Sequence, residues 1–189
     1  MNRLENLFNR NRIKESKVKD VFYREIMNEI FVLCFNAIKD DNIKYNLRDS
    51  LRKSQNQYAE NIIYKNFINQ ITSLNLNDED YSYIITLLKA SFNRLDQRIS
   101  LPDAEKEKIL INQNNKCAFC GKKISSLHDD CHIDHVIPFS YTGDELNDNY
   151  QVLCSSCNEK KGNKVSFLTQ LIAKGNIHSL KQHFTTFEA

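Results

Sequence analysis

Cys117-Ala118-Phe119-Cys120-Gly121 and, further along the chain, Cys154-Ser155-Ser156-Cys157 form two CxxC pairs. A thiolate pair at this spacing grips one side of a zinc ion from a tight turn, and two such pairs complete a tetrahedral site. Four thiolates leave no open position for a substrate, so a site of this kind is structural. It contributes roughly 10–16 kcal/mol of apparent binding free energy to folding. The 33 residues between Cys120 and Cys154 exceed the spacing of a simple zinc ribbon. The surplus predicts a sizeable inserted loop that the metal pins shut. Cys131, inside that loop, has no partner at ligand spacing and reads as a half-buried strand cysteine.

Within the loop stands Cys131-His132-Ile133-Asp134-His135-Val136-Ile137-Pro138, whose β-branched residues predict a strand ended by proline. Phe139 to Asp148 reads as a loop with Thr142-Gly143-Asp144 as its turn. Asn149-Tyr150-Gln151-Val152-Leu153 reads as a second strand. Ser156 and Glu159 have the spacing of a capping box, which predicts a helix through Cys157 and Asn158. The predicted order is strand, loop, strand, helix.

These residues carry a resemblance. CxxCG, then Asp134-His135-Val136-Ile137-Pro138, then Asn149-x-Gln151-x-Leu153-Cys154-x-x-Cys157-Asn158-x-x-Lys161, resembles the zinc-bearing form of the HNH endonuclease motif. The resemblance covers roughly residues 105–165. It implies a ββα-metal finger that cuts phosphodiesters with one divalent cation, Mg2+ or Mn2+, beside the structural Zn2+. Carried over by position, it implies His135 as the general base and Asp134 and Asn158 as oxygen ligands of the catalytic cation. Asn149 is implied to hold the strand that carries His135.

General chemistry agrees with those roles. An ordinary imidazole titrates near neutral pH, where it serves as a base. Carboxylate and amide oxygens suit a hard cation that keeps several waters. Lys160, Lys161 and Lys164 follow on the predicted helix and are candidates to clamp a nucleic-acid backbone. Asp134 and His135 are adjacent, and neighbours on a flat strand point to opposite faces. The strand is therefore expected to twist, bulge or end there. His132 lies next to the site and reads as structural.

Outward from the motif, all four glycines and both prolines lie after residue 100. The first hundred residues lack strong punctuators, as a run of helices joined by polar turns would. Val18, Phe22, Ile26, Ile30 and Phe31 recur at helical spacing, as do Ile63, Phe67, Ile68 and Ile71. Ile84, Leu87, Leu88, Ser91 and Leu95 follow Asn77 and Asp78, both plausible N-caps. Residues 1–100 are therefore expected to form a small helical bundle, with Cys34 and the aromatic residues filling its core. A boundary near Ser100-Leu101-Pro102 leaves 101–189 for the finger and C-terminal helices. Pro102 suits the first turn of a helix ending near Asn114-Asn115, and further helices are expected over Val165–Lys174, capped by Gly175, and Ile177–Phe187. The expected fold class is α+β, mostly α.

The 189 residues carry 26 Lys+Arg against 24 Asp+Glu. A net charge of +2 excludes a strongly basic coat, so any nucleic-acid contact must come from local placement of charge. No apolar run is long enough to span a bilayer and the start has no signal-peptide stretch, so the expected address is cytoplasmic. Six cysteines in such a chain favour metal over disulfides. The resulting expectation is an HNH endonuclease acting on nucleic acid, DNA favoured over RNA. The alternative is a non-catalytic zinc module that binds nucleic acid or a protein. Residues 1–100 are expected to dock a partner, self-associate or select a target. By analogy of arrangement, a helical-plus-HNH chain resembles effectors of bacterial restriction or anti-phage systems.

Overall fold

The computed structural model describes residues 15–167 and, ahead of them, residues 6, 9 and 10. From Glu15 onward four helices come first: α1 (Glu15–Ala37), α2 (Asp41–Arg52), α3 (Gln57–Thr72) and α4 (Asp78–Asn93). Helix α5 (Asp103–Asn112) follows Pro102. Then come strand β1 (Cys131–His135), the one-turn helix α6 (Phe139–Thr142), strand β2 (Tyr150–Cys154) and helix α7 (Ser155–Lys161). The described chain is mostly helical with one two-stranded sheet, which is the expected class.

The helices begin where a side chain satisfies their free amides. Asp40 Oδ1 accepts from the amides of Asn42 and Ile43 at 2.9 and 3.0 Å, and Asn56 accepts from Ala59 at 2.9 Å. Asn77 and Asp80 form a reciprocal capping box at the start of α4, each such cap stabilising by about 1 kcal/mol. The predicted apolar stripes largely face inward: Phe31, Ile68, Ile84 and Leu88 are fully enclosed, as is Cys34. Burial pushes the Cys34 thiol up to about 12, so it behaves as a small apolar filler. Two stripe members miss. Ile26 faces solvent, and α4 stops at Asn93, leaving Leu95 exposed beyond its end.

Two apolar cores form. The larger joins α1 to α4 and also takes in Ile137, with Tyr141 and Leu146 packed against it. The smaller joins Leu110 of α5, Ile124, Val152, Leu153 and the cysteines. The segment between β1 and β2 is thus anchored in the helical bundle. Tyr141 meets Phe35 edge-on at 4.9 Å and Phe31 at 5.9 Å. That packing explains why part of the expected Phe139–Asp148 loop is helix α6 instead, with Pro138 at its cap position.

The sheet pairs β1 with β2 antiparallel, setting Cys131 opposite Cys154, Asp134 opposite Gln151 and His135 opposite Tyr150. Strand β1 stops at His135, short of Pro138, because the Asn149 carbonyl and side chain take the next amides. The expected capping box at Ser156 and Glu159 is not formed. Helix α7 starts two residues earlier than that box implies, and Cys154 occupies the cap position without a side-chain bond. The reason is a contact from across the chain: the Ser155 hydroxyl is bonded to Asp130 and to His132 Nε2, and the sheet register runs straight into the helix. Val165 and Ser166 are not helical. Phe167, the last described residue, is helical; the rest of the helix expected to Lys174, the Gly175 cap and the Ile177–Phe187 segment lie outside the described residues.

Candidate metal centre and active site

Cys117 and Cys120 sit in a knuckle between α5 and β1. The Cys117 amide donates to the Lys122 carbonyl at 2.9 Å and the Gly121 amide returns to the Cys117 carbonyl at 3.1 Å. Gly121 closes this turn at φ +68°, a conformation open to glycine at little cost. Cys154 ends β2 and Cys157 lies in the first turn of α7. The four sulfurs all lie within 4.8 Å of one another, with Cys120 and Cys154 3.6 Å apart. A zinc–sulfur bond of about 2.3 Å in a tetrahedron requires sulfur–sulfur edges of about 3.8 Å, so the donor set fits zinc. A hydrogen bond from Cys157 pulls the Cys117 thiol well below its ordinary range, and the same contact pushes Cys157 up. Shared protons among crowded sulfurs are what a bound cation would displace. Cys131 stands outside this cluster, half-buried on β1 as expected, with its sulfur near the Ser126 and Leu127 carbonyls.

Gln113 locks the knuckle to the sheet. Its side-chain oxygen accepts from the Val152 amide at 2.8 Å, and its nitrogen donates to the Val152 and Lys116 carbonyls at 3.0 Å each. One side-chain amide therefore pairs with β2 as a neighbouring strand would.

His135 closes β1, its ring against Tyr150 at 4.7 Å and Phe139 at 5.6 Å. Its Nε2 lies 2.6 Å from Asp144 Oδ1. Asp144 is nearly enclosed, with 4% of its side chain exposed. It also accepts from the Tyr150 hydroxyl at 2.6 Å and from the Ile99 amide at 2.7 Å. Burial acts to raise the Asp144 pKa, but the bonds from Tyr150, Ile99 and His135 outweigh it and hold the carboxyl below its ordinary value. An ionised carboxylate only accepts, so this contact calls for a proton on Nε2 and leaves Nδ1 as the ring nitrogen that Asp144 does not engage. Asp144 was not among the residues expected from sequence; its only trace there was a turn position after Gly143. That glycine adopts φ +60° with ψ −143°, and a Cβ on it would lie 2.8 Å from Arg94 Cγ.

Asn149 is buried and clamps the segment after β1. Its Oδ1 accepts from the Ile137 amide at 2.8 Å, its Nδ2 donates to the Ile137 carbonyl at 2.9 Å, and its own carbonyl accepts from Val136 at 2.8 Å. The geometry is that of a brace on the His135 segment.

Asp134 turns toward α7. Its Oδ2 accepts from Gln151 at 3.0 Å and pairs with Lys161 Nζ at 2.9 Å. Lys161 also donates to the His135 carbonyl at 2.7 Å and is only 1% exposed. The side chains of Asp134 and His135 share no partner; Lys161 joins the two residues through the backbone. This corrects one expectation. Lys161 does not face a nucleic-acid backbone, because its ammonium is consumed by an internal pair. Lys160 is exposed. Lys164 folds back on the carbonyls of Lys160 and Lys161 at the end of α7. Asn158 is half-buried and three residues before Lys161, hence one turn away on the same helix face. His132 stays structural in this arrangement, bonded to Ser155 at 3.0 Å. No helix among the described residues is long and apolar enough to cross a membrane.

Residues 117–168 match the family model described as HNH endonuclease, about a quarter of the chain. No curated protein and no solved structure matches the chain. This similarity, with a four-cysteine cluster that could hold a metal ion, suggests nuclease activity.

Proposed function

We propose that the HNH endonuclease segment makes this protein a metal-dependent nuclease hydrolysing phosphodiester bonds, with DNA favoured over RNA and His135 as the general base. One observation carries the reading: His135 ends β1 with Nε2 fixed 2.6 Å from a buried carboxylate, inside the matched segment. Asp144 orients the imidazole and stabilises the cation formed when Nδ1 takes a proton from the attacking water, as a buried carboxylate does in triad chemistry. Asn149 holds the backbone after His135 so that the ring keeps its place. Asp134 Oδ1, the oxygen not used by Gln151 or Lys161, and the Asn158 amide oxygen are the donors for Mg2+ or Mn2+. When bound, such a cation neutralises charge developing on the phosphate and the leaving oxygen.

Residues 101–189 are read as the nuclease unit and 1–100 as the unit that selects the target or docks a partner. A cytoplasmic effector of a restriction or anti-phage system is the biological setting this arrangement favours.

Purified zinc-loaded protein should nick or linearise a plasmid with Mg2+ or Mn2+. His135→Ala should abolish cutting with its zinc content unchanged. A variant that cuts as fast as the parent removes the mechanism and leaves the non-catalytic zinc module.

A further inference from the structure

The helical half carries a groove of about 670 Å³ between α2, the middle of α3 and the end of α4. One wall is a basic stripe. Lys44, Arg48 and Arg52 follow one another at four-residue intervals on α2, a spacing that keeps them on one helix face. None of the three has an ion-pair partner among the described residues, whereas Lys53 nearby is paired with Asp49 at 2.6 Å. The other wall is aromatic: Arg48 lies over the Phe92 ring at 5.6 Å, and Tyr64 closes the floor. Tyr45, beside Lys44, leaves 63% of its surface to solvent. One carboxylate, Asp41, lines the N-terminal end.

From these observations we infer that the groove binds a single strand of nucleic acid, phosphates along the stripe and a base on Tyr45. Each four-residue step advances about 6 Å along a helix, comparable to the phosphate spacing of an extended strand. Unpaired cations beside an exposed aromatic ring are the two elements of a single-strand platform. They also supply the local placement of charge that a net charge of +2 demands. The chain links the groove to the finger: Asn93 in its wall is followed by Arg94, which donates to the Ser140 carbonyl of α6, and Arg98 lies over Phe139 at 4.7 Å. Phe139 in turn touches the His135 ring. A strand held on α2 is thereby joined through residues 93–99 to the segment that positions the base.

The inference takes its ligand class from the nuclease reading, but its test does not depend on cleavage. Binding of labelled single-stranded oligonucleotides to the full zinc-loaded chain is followed by fluorescence anisotropy across a salt series, without added Mg2+ or Mn2+. Lys44→Glu/Arg48→Glu/Arg52→Glu should weaken binding at least about tenfold and lower the salt slope by about 2, at about 0.7 per lost phosphate contact. Lys44→Glu/Arg52→Glu spares the Arg48–Phe92 contact and should fall in between. Tyr45→Ala should cost about fivefold or more with the slope unchanged. Lys19→Glu/Lys108→Glu/Lys123→Glu, with the same net charge change on exposed positions elsewhere, should bind within about threefold of the parent. Groove variants that bind like this control, a parent without salt-dependent binding, or a duplex bound as tightly as the single strand would overturn the inference. Loss of cutting in His135→Ala with intact binding leaves it standing, so the two readings fail separately.

Discussion

Breaking the Asp134–Lys161 pair from one side at a time has a predictable cost. The ammonium lies 2.9 Å from Asp134 Oδ2, with 2% of the lysine side chain and 18% of the aspartate side chain exposed. At an effective dielectric near 20, opposite charges at that distance attract by about 6 kcal/mol. Drying the ammonium costs several kcal/mol, so the intact pair nets little. Remove one partner and the other keeps its penalty. Asp134→Asn and Lys161→Met should therefore each destabilise by about 3–5 kcal/mol. The double variant strands neither charge, and its cost should fall short of the sum by about 2–3 kcal/mol. Urea unfolding of the zinc-loaded chain at fixed free zinc, followed by circular dichroism, measures all four corners of the cycle. Additivity within about 0.5 kcal/mol, or a Lys161→Met cost below about 1 kcal/mol, would refute the pairing. A practical consequence follows for kinetics. Lost cutting in an Asp134 variant reports on catalysis only after its folded fraction has been measured.

Asp144 and the cysteine cluster lead to three further outcomes. Asp144→Asn removes the charge that faces His135 Nε2, and its cleavage rate should fall about 100-fold or more with zinc content unchanged. Because the folded Asp144 pKa is depressed, its stabilisation is complete above the ordinary carboxylate range near pH 4 and fades as pH falls through the folded value. Urea midpoints should accordingly decline less below about pH 4 in Asp144→Asn than in the parent. Removing the structural metal by chelation, or by Cys154→Ser, takes away roughly 10–16 kcal/mol from a core built on Leu110, Ile124, Val152 and Leu153. The Val152 and Leu153 amides should then lose their protection in hydrogen exchange.

The finger was legible because its signals are local. Two CxxC pairs at fixed spacing bring four sulfurs within 4.8 Å, and β-branched runs around them pair as a hairpin. Asn77 capped its helix as its position suggested, and the apolar stripes of α3 and α4 turned inward. Where a local rule failed, a longer-range contact had overridden it. The Ser156–Glu159 spacing yielded to Ser155 bonding across to Asp130 and His132. The Phe139–Asp148 loop gained a helix because Tyr141 found Phe31 and Phe35.

By itself the sequence determined which cysteines can hold a metal, that a hairpin stands between the two pairs, and that helices precede the finger. Those properties depend on spacing and periodicity along the chain. Only the tertiary structure decided what those residues face. His135 meets Asp144 nine positions on, Lys161 turns inward to Asp134, and the hairpin connection seats in the helical core. Such partners are selected by burial, where an unpaired polar group is costly, and burial belongs to the folded chain as a whole.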